Sequence, residues 1–478
     1  MIIFIMDFHH KYNRFINPLY GEPRNITADD ELLKTNSVPH DYCVKDRVDM
    51  TKYEVYSIDP DGCEDADDAF SIYEEDGRLY LAIHIADPTE YIQLNSPLWK
   101  DIESRVVTRY PSNKPPIHLM PNEIMEKASL TVNQYGSIKM DNSIKLALTI
   151  HTEIDSTHYL PIGQIKLLFT KINVKRENAL SYKKAATMSY SNDALYNGLK
   201  ISQGLKEKRG NETKAVILND LSTSYVVFNN NEPELYKDSP TERLMKQMIA
   251  EFAIFANSFI GEYLKINFKG SGLYRICPAN EWLSTVDDAI TGKELLNEII
   301  MNGIKAEYMS TVASHDLVGS PEYIHFTSPI RRLSDCVCHY LLKYIHIQNS
   351  VDTSNIEVPF TSHELYNYSN ICSTVSKNMK NIQYKDTKFR LIQVMNILTS
   401  LHENVTITYY VSSYKNSFFN IIINKIGNHD VYLSYTLRIP DIKKSYILKI
   451  PQTIQITKIN SPGKFDQGTI PELDHLFL

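Results

Sequence analysis

The feature that most constrains this chain is a fourteen-residue stretch, Ser57-Ile-Asp-Pro-Asp-Gly-Cys-Glu-Asp-Ala-Asp-Asp-Ala-Phe70, with six acidic side chains. It lies between Tyr53–Ile58 and Leu79–Ile85, which alternate apolar and polar residues with the period of a strand. The stretch is therefore predicted to be a loop at a strand end. Carboxylates crowded there repel one another unless a cation neutralises them. An EF-hand needs glycine at loop position six and glutamate at position twelve. Counted from Asp59, those positions hold Glu64 and Phe70, so that reading fails. Oxygen donors with little nitrogen or sulfur nearby favour Mg²⁺, with Mn²⁺ able to substitute.

The rest of the chain predicts an α+β protein. At 478 residues it suits two or three domains. Apolar residues make up 43% and charged residues 22%, which excludes a disordered chain. There are 57 acidic against 50 basic residues, so a polyanionic partner would need a locally basic channel rather than a cationic coat. Residues 1–42 read as an irregular arm or remnant domain. Ile144–Ile150 and Gln164–Thr170 read as further strands of the first sheet. Helices are predicted over Glu242–Leu264, Ile330–Ile345 and Glu364–Leu398. The first of these presents Leu244, Met248, Phe252, Phe255, Phe259 and Leu264 as a buried stripe. After Asn404, short strands at Val405–Val411, Phe418–Ile423, Val431–Tyr435, Tyr446–Ile450 and Ile454–Ile459 suggest a small β-barrel of OB type, with an irregular tail after Ser461. The expected division is 1–42, 43–400 (a mixed sheet with surrounding helices) and 401–478.

Cys43, Cys63, Cys277, Cys336, Cys338 and Cys372 contain no Cys-x-x-Cys pair, so free thiols in a reducing compartment, the cytoplasm, are expected. The apolar run Met1–Met6 ends at Asp7, too short for a signal sequence, and no run approaches the ~18 apolar residues of a membrane span.

A metal-bearing carboxylate loop suits phosphodiester cleavage, which also needs positive charge on the reacting phosphate. Tyr323-Ile-His-Phe-Thr-Ser-Pro-Ile-Arg-Arg-Leu-Ser-Asp335 supplies it. Pro329 is expected to open a helix, with Arg331 and Arg332 in its first turn.

Together the two segments resemble the RNase II/RNase R (RNB) superfamily. Leu81-Ala-Ile-His-Ile-Ala-Asp-Pro88, Arg109-Tyr-Pro, Pro115-Pro-Ile-His-Leu-Met-Pro121, Ser129-Leu-Thr-Val-Asn133, Leu180-Ser-Tyr182 and Glu251-Phe-Ala-Ile-Phe-Ala-Asn257 follow in that family's order. The resemblance runs from about residue 45 to about 395. It implies a large RNB-type catalytic domain that degrades single-stranded RNA from the 3′ end by Mg²⁺-dependent hydrolysis, releasing nucleoside 5′-monophosphates. Asp59, Asp65, Asp67 and Asp68 match the family's metal-site aspartates, Asp68 the one most directly implicated in catalysis, with Asp67 also catalytic. Arg331 matches the arginine on the scissile phosphate, with a structural pair to Asp335 as its alternative role. Arg332 would be structural or touch the RNA backbone. Tyr110 would stack on the terminal base and Tyr182 lie near the ribose hydroxyls. Glu251 is a further RNA-binding candidate, and His84 and His325 read as structural.

This chain also departs from the family pattern. Ala250-Glu251 stands where paired glutamates are usual, which would loosen discrimination against DNA. Gln383 replaces a late helical glutamate, a base-clamping aromatic falls near Leu218, and Leu333 replaces the tyrosine of Arg-Arg-Tyr. Only about 42 residues precede the matching region, too few for two N-terminal cold-shock domains of ~60–70 residues each. An enzyme lacking them is expected to prefer short RNA, or RNA delivered by a protein partner. Two other readings compete: a catalytically silent RNA-binding or assembly subunit, and a broader nuclease that also acts on DNA.

Overall fold

The computed structural model describes residues 14, 16–131, 142–212, 223–229, 232–287, 290, 295, 298–299, 302–350, 356–401, 405–415, 418–438 and 452–456. Its centre is a five-stranded sheet. The strands are β1 (Val48–Asp49), β3 (Asp68–Glu75), β4 (Arg78–Ala86), β5 (Asn142–Ile154) and β6 (Pro161–Lys175), in the order β1-β6-β5-β4-β3. All neighbours are antiparallel except β1 and β6, so the sheet is mixed, as expected. Strand β4 lies between β5 and β3 and is covered on both faces from Leu81 to Ala86, so in place of the expected alternation this stretch is an almost unbroken apolar run.

Two sequence expectations need correction here. Tyr53–Ile58 is not a strand throughout. The strand β2 covers Ser57–Asp59 and pairs in parallel with β7 (Ala179–Ser181). The acidic stretch is also not all loop, because Asp68 opens β3 and pairs with Ile85.

Helices cover this sheet. The main ones are α1 (Ile26–Lys34), α2 (Pro97–Arg105), α3 (Asn122–Ala128), α4 (Tyr182–Met188), α5 (Asp193–Glu212), α6 (Pro240–Asn267), α7 (Leu333–Gln348) and α8 (Ser362–Leu401). Helix α6 starts on a capping box. Ser239 Oγ accepts the Glu242 amide at 3.2 Å, and the Glu242 carboxylate accepts the Ser239 amide at 2.7 Å. Its buried stripe is Met245, Met248, Phe252, Ala256, Ile260 and Leu264, whereas Leu244 is exposed and Phe255 and Phe259 are only partly buried, so the predicted phase was one residue off at the start and in the middle. Gly261 of α6 lies against the backbone of Glu322. A β-carbon there would stand 2.5 Å from the Glu322 carbonyl oxygen, so only glycine lets the helix press on the segment leading to Arg331.

The C-terminal strands β12 (Val405–Lys415), β13 (Phe418–Ile426), β14 (His429–Arg438) and β15 (Gln452–Ile456) form an antiparallel sheet in the order β14-β13-β12-β15. Among the described residues this sheet does not close into a barrel. The expected strand at Tyr446–Ile450, Leu218 and the tail after Ser461 lie outside them.

A buried ionic node ties the N-terminal segment to α7 behind the sheet. Arg47 reaches Asp87 and Glu90, each at 2.6 Å. The fully buried Lys343 reaches the same two carboxylates at 2.9 and 2.7 Å. Burial raises the energy of a charged Asp87, but the Lys343 and Arg47 charges outweigh that and hold its carboxyl well below the usual range. Removing one cation leaves a carboxylate short of compensation in a dry site. Lys343→Met is therefore expected to cost about 3 kcal/mol, read by urea unfolding. A loss under about 1 kcal/mol would show that Arg47 alone suffices.

Candidate active site

The acidic stretch is pinned on three sides. Parallel pairing sets Asp59 opposite Ser181, the residue before Tyr182. The Ala86 amide donates to the Asp67 carbonyl at 2.8 Å. Ser129 Oγ accepts the Ala66 amide at 3.0 Å, and the Leu130 amide donates to the Ala66 carbonyl at 2.9 Å. The quoted block Ser129–Asn133 thus acts, where it is described, as a brace for the aspartates.

Asp67 is buried and faces the arginine motif. Its carboxylate accepts from the Ile330 amide at 2.7 Å and from Arg331 Nε at 2.9 Å. Ser328 Oγ accepts a second Arg331 N–H at 2.7 Å. Asp335 pairs instead with Arg332, at 2.9 Å, so the alternative Arg331–Asp335 pair does not form. Neither arginine lies in a first helical turn. Helix α7 begins at Leu333, and Arg332 is its N-cap, with an extended backbone. Pro329 and Arg331 belong to the preceding turn, which hydrogen-bonds to the Val106–Thr108 segment. One edge of the Arg331 fork is therefore held, and the side chain stays 42% exposed, enough to meet a ligand.

Asp59 and Asp68 face each other. Burial, then the Asp68 and Asp65 charges, push the Asp59 carboxyl up to about 8. Burial pushes Asp68 up to about 6, with Arg331 and Arg332 opposing it. A carboxyl raised in the fold favours the protonated state. Its contribution to stability is present below pH ~4 and lost as pH rises through the folded values. Asp59→Asn is thus expected to gain in Tm relative to wild type as pH rises from about 5 to about 9 in EDTA. Mg²⁺ is expected to erase that gain. A pH-independent difference would refute the mutual repulsion.

The chemistry of these donors fits a hard divalent cation. The Asp68 and Asp65 charges both bear on Asp59, which Arg331 offsets, and Arg331 and Arg332 together offset Asp68. Among the described residues no three His, Cys, Asp or Glu side chains stand together in a ready-made ligand set. Asp65 accepts from the Tyr110 hydroxyl at 2.7 Å, and Asp67 is turned to Arg331.

The remaining candidates divide. Tyr110 stands over Asp65 and is 37% exposed, a free ring face at the rim. The Tyr182 hydroxyl is raised by burial and then by the Asp68 and Asp59 charges, which places it beside them. Glu251 is buried on α6 and salt-bridged to Arg209 of α5 at 2.6 Å, so it is engaged within the fold. Arg332 is committed to Asp335. His84 bonds Ser71 and Thr149 in the sheet core, and His325 Nδ1 lies 2.7 Å from the Tyr308 hydroxyl. Gln383 is exposed on α8. Two neighbours of the site were not singled out from the sequence. His118, inside a quoted block, lies 3.8 Å from Asp65 with its buried Nδ1 unpaired. Ser328 orients Arg331. An isolated serine or histidine carries no spacing signal of its own.

Residues 47–347 match the RNB domain, and the chain belongs to that family. Among its relatives, ribonuclease R of Thermotoga maritima is 22% identical over 388 residues, 73% of this chain and 52% of that protein. The chloroplastic/mitochondrial ribonuclease II of Arabidopsis thaliana is 23% identical over 312 residues, 62% of this chain and 36% of that protein. The human exosome complex exonuclease RRP44 is 26% identical over 342 residues, 63% of this chain and 34% of that protein. The chain thus spans between about a third and about half the length of these relatives. Among solved structures, Mycoplasma genitalium RNase R with ribose-methylated single-stranded RNA superposes with a TM-score of 0.67 at 18% identity, covering 89% of this chain and 69% of that one. Yeast Ssd1, a pseudonuclease, superposes with a TM-score of 0.58 at 18% identity, covering 82% and 50%. At these identities the likeness shows the fold alone. Among the described residues no helix is long and apolar enough to cross a membrane.

Proposed function

We propose that this protein is a Mg²⁺-dependent 3′→5′ exoribonuclease that hydrolyses single-stranded RNA to nucleoside 5′-monophosphates in the cytoplasm. The observation that carries the reading is the Asp67–Arg331 pair beside the repelling Asp59 and Asp68. Asp67 fixes the guanidinium edge so that the free side of the fork meets a phosphate without first being ordered. Asp59, Asp65 and Asp68 would hold two metal ions, with Asp67 supporting them through Arg331. When bound, the ions supply the charge that activates water and steadies the leaving oxygen. Tyr110 offers a ring face to any base, worth ~1–3 kcal/mol, which suits an enzyme indifferent to sequence. Tyr182, beside Asp59 and Asp68, is placed for the terminal ribose. In this reading 43–400 is the catalytic unit, 1–42 an arm packed on it, and 401–478 a unit of OB type that extends the RNA path. A protein partner that delivers RNA fits relatives that include an exosome exonuclease.

A second reading, a silent RNA-binding subunit, is favoured by the pseudonuclease among the fold neighbours. Incubating 5′-labelled single-stranded RNA or DNA with Mg²⁺ or EDTA separates the readings. Metal-dependent shortening of RNA from the 3′ end is the expected result. RNA binding without products would select the silent subunit, and equal cleavage of DNA would select a broader nuclease, which Ala250 makes conceivable.

A further inference from the structure

Arg275 is a buried cation with no acid to hold among the described residues. It lies in β10 (Ser271–Ile276), 7% exposed, with its guanidinium carbon 4.7 Å from the centre of the Tyr308 ring. Its side chain has no hydrogen-bond or ion-pair partner among the described residues. Its nitrogens keep contact with solvent, unlike Nε of Arg47 or Arg332, which are sealed and unpaired. An unpaired guanidinium so enclosed is costly unless something outside the chain completes it.

The groups around it add charge of the same sign. Ser373 of α8 accepts the Tyr308 amide at 2.8 Å. Lys380, two helical turns later, lies on the same side of α8. Partial burial, and then the Arg275 charge, push the Lys380 ammonium down, although the residue as a whole is exposed. His315 sits beside Cys277 through a parallel bridge, with its buried Nδ1 unpaired. Burial, then the Arg275 charge, lower its ring to about 4. The nearby acids are committed elsewhere. Asp316 accepts the Ala279 and Asn280 amides at 2.6 and 2.8 Å, Asp335 holds Arg332, and Asp67 holds Arg331. Glu307 of β11 (Glu307–Thr311) is exposed, and it pulls on Arg275 less than Arg332 pushes.

A guanidinium fork and an ammonium beside each other, with the sealed His315 ring behind them, make a receptor for an oxyanion. Its position narrows the choice. The Tyr308 hydroxyl accepts from Ser334 Oγ at 3.2 Å, Ser334 reaches Asp335, and Asp335 holds Arg332. Arg275 is therefore one tyrosine ring away from the turn that carries Arg331. We propose that Arg275 and Lys380, backed by His315, form a second phosphate-binding site beside that turn, and that its ligand is a backbone phosphate of the RNA strand. The shared chemistry is phosphate; assigning it to the strand rather than to a free anion rests on the exoribonuclease reading.

The test is binding of a fluorescein-labelled oligoadenylate, followed by anisotropy in EDTA across a KCl series. Wild type is compared with Lys380→Glu, Arg275→Met and Arg275→Lys. Lys380→Glu and Arg275→Met are each expected to weaken binding about tenfold and to reduce the slope of log K against log salt by about 0.7. Arg275→Lys should keep most of the slope. Arg275→Met should also raise the metal-free Tm, since it removes an unpaired buried charge, whereas a packing role for Arg275 predicts a fall. If Arg275→Met fails to fold, Lys380→Glu, at an exposed position, carries the binding test. Unchanged affinity and slope in the folded variants would overturn the proposal. So would unchanged RNA affinity together with loss of a Tm rise that inorganic phosphate gives wild type, which would assign the site to free phosphate. Mg²⁺-dependent shortening of RNA by wild type is scored separately. Its absence would end the exonuclease reading and leave the phosphate site standing.

Discussion

Asp68→Asn is expected to lower kcat for RNA shortening by about 10³-fold or more while leaving RNA affinity in EDTA within about twofold. Asp68 is the first residue of β3 and pairs with Ile85, so an isosteric amide leaves the strand register in place. The substitution removes one of two carboxylates that press on each other. Asp59, held up at about 8 partly by Asp68, should fall toward its ordinary range. Tm in EDTA should therefore rise even as activity disappears. Those opposite movements separate a lost catalytic group from a damaged fold. Activity above about a tenth of wild type would remove Asp68 from the centre of the mechanism.

Arg331→Met is expected to fail in two ways at once. The loss of positive charge at the phosphate should cost about 10²–10³-fold in kcat. Asp67, 3% exposed, keeps only the Ile330 amide once Arg331 Nε is gone. A carboxylate left this way costs about 2 kcal/mol of stability, below the range for a fully buried pair because Arg331 is half-open to water. The double variant Asp67→Asn with Arg331→Met should recover most of that stability and none of the activity. If the double variant is no more stable than Arg331→Met, the pair is not what orders the turn. Arg331→Lys should keep part of the stability but lose the fork, and with it most of the rate.

The parts of the fold legible in the sequence were those with a strong period. Helix α6 declared itself through its apolar stripe, and β4 through the strand period read over Leu79–Ile85. Strand β3 was hidden because it opens on Asp68, a residue that reads as loop, although Ala69, Phe70 and Ser71 directly after it are buried. The phase error at Leu244 arose because one large residue stands just beside the stripe, where composition does not distinguish Leu244 from Met245. Motif spacing marked the four aspartates and the two arginines as a group. It did not reveal which carboxylate each arginine takes. Arg332 and Asp335 pair across one turn and Arg331 with Asp67 across 264 positions, and a long-range pair leaves no local trace. Arg275 passed unnoticed because a single arginine in Leu273-Tyr-Arg-Ile276 looks like any strand residue. What marks it is that no described residue partners it, and that is a property of the fold.

The ionic node behind the sheet also bears on how this protein can change over generations. Arg47 and Lys343 share Asp87 and Glu90, so the four positions hold two positive and two negative charges in one dry space. A descendant that swaps Lys343 for an apolar residue inherits an excess carboxylate and is at once less fit to fold. It becomes viable again when Asp87 or Glu90 goes too. Drift through this node should therefore occur in pairs. A lineage in which only one of the four has changed should carry a compensating substitution in the same shell.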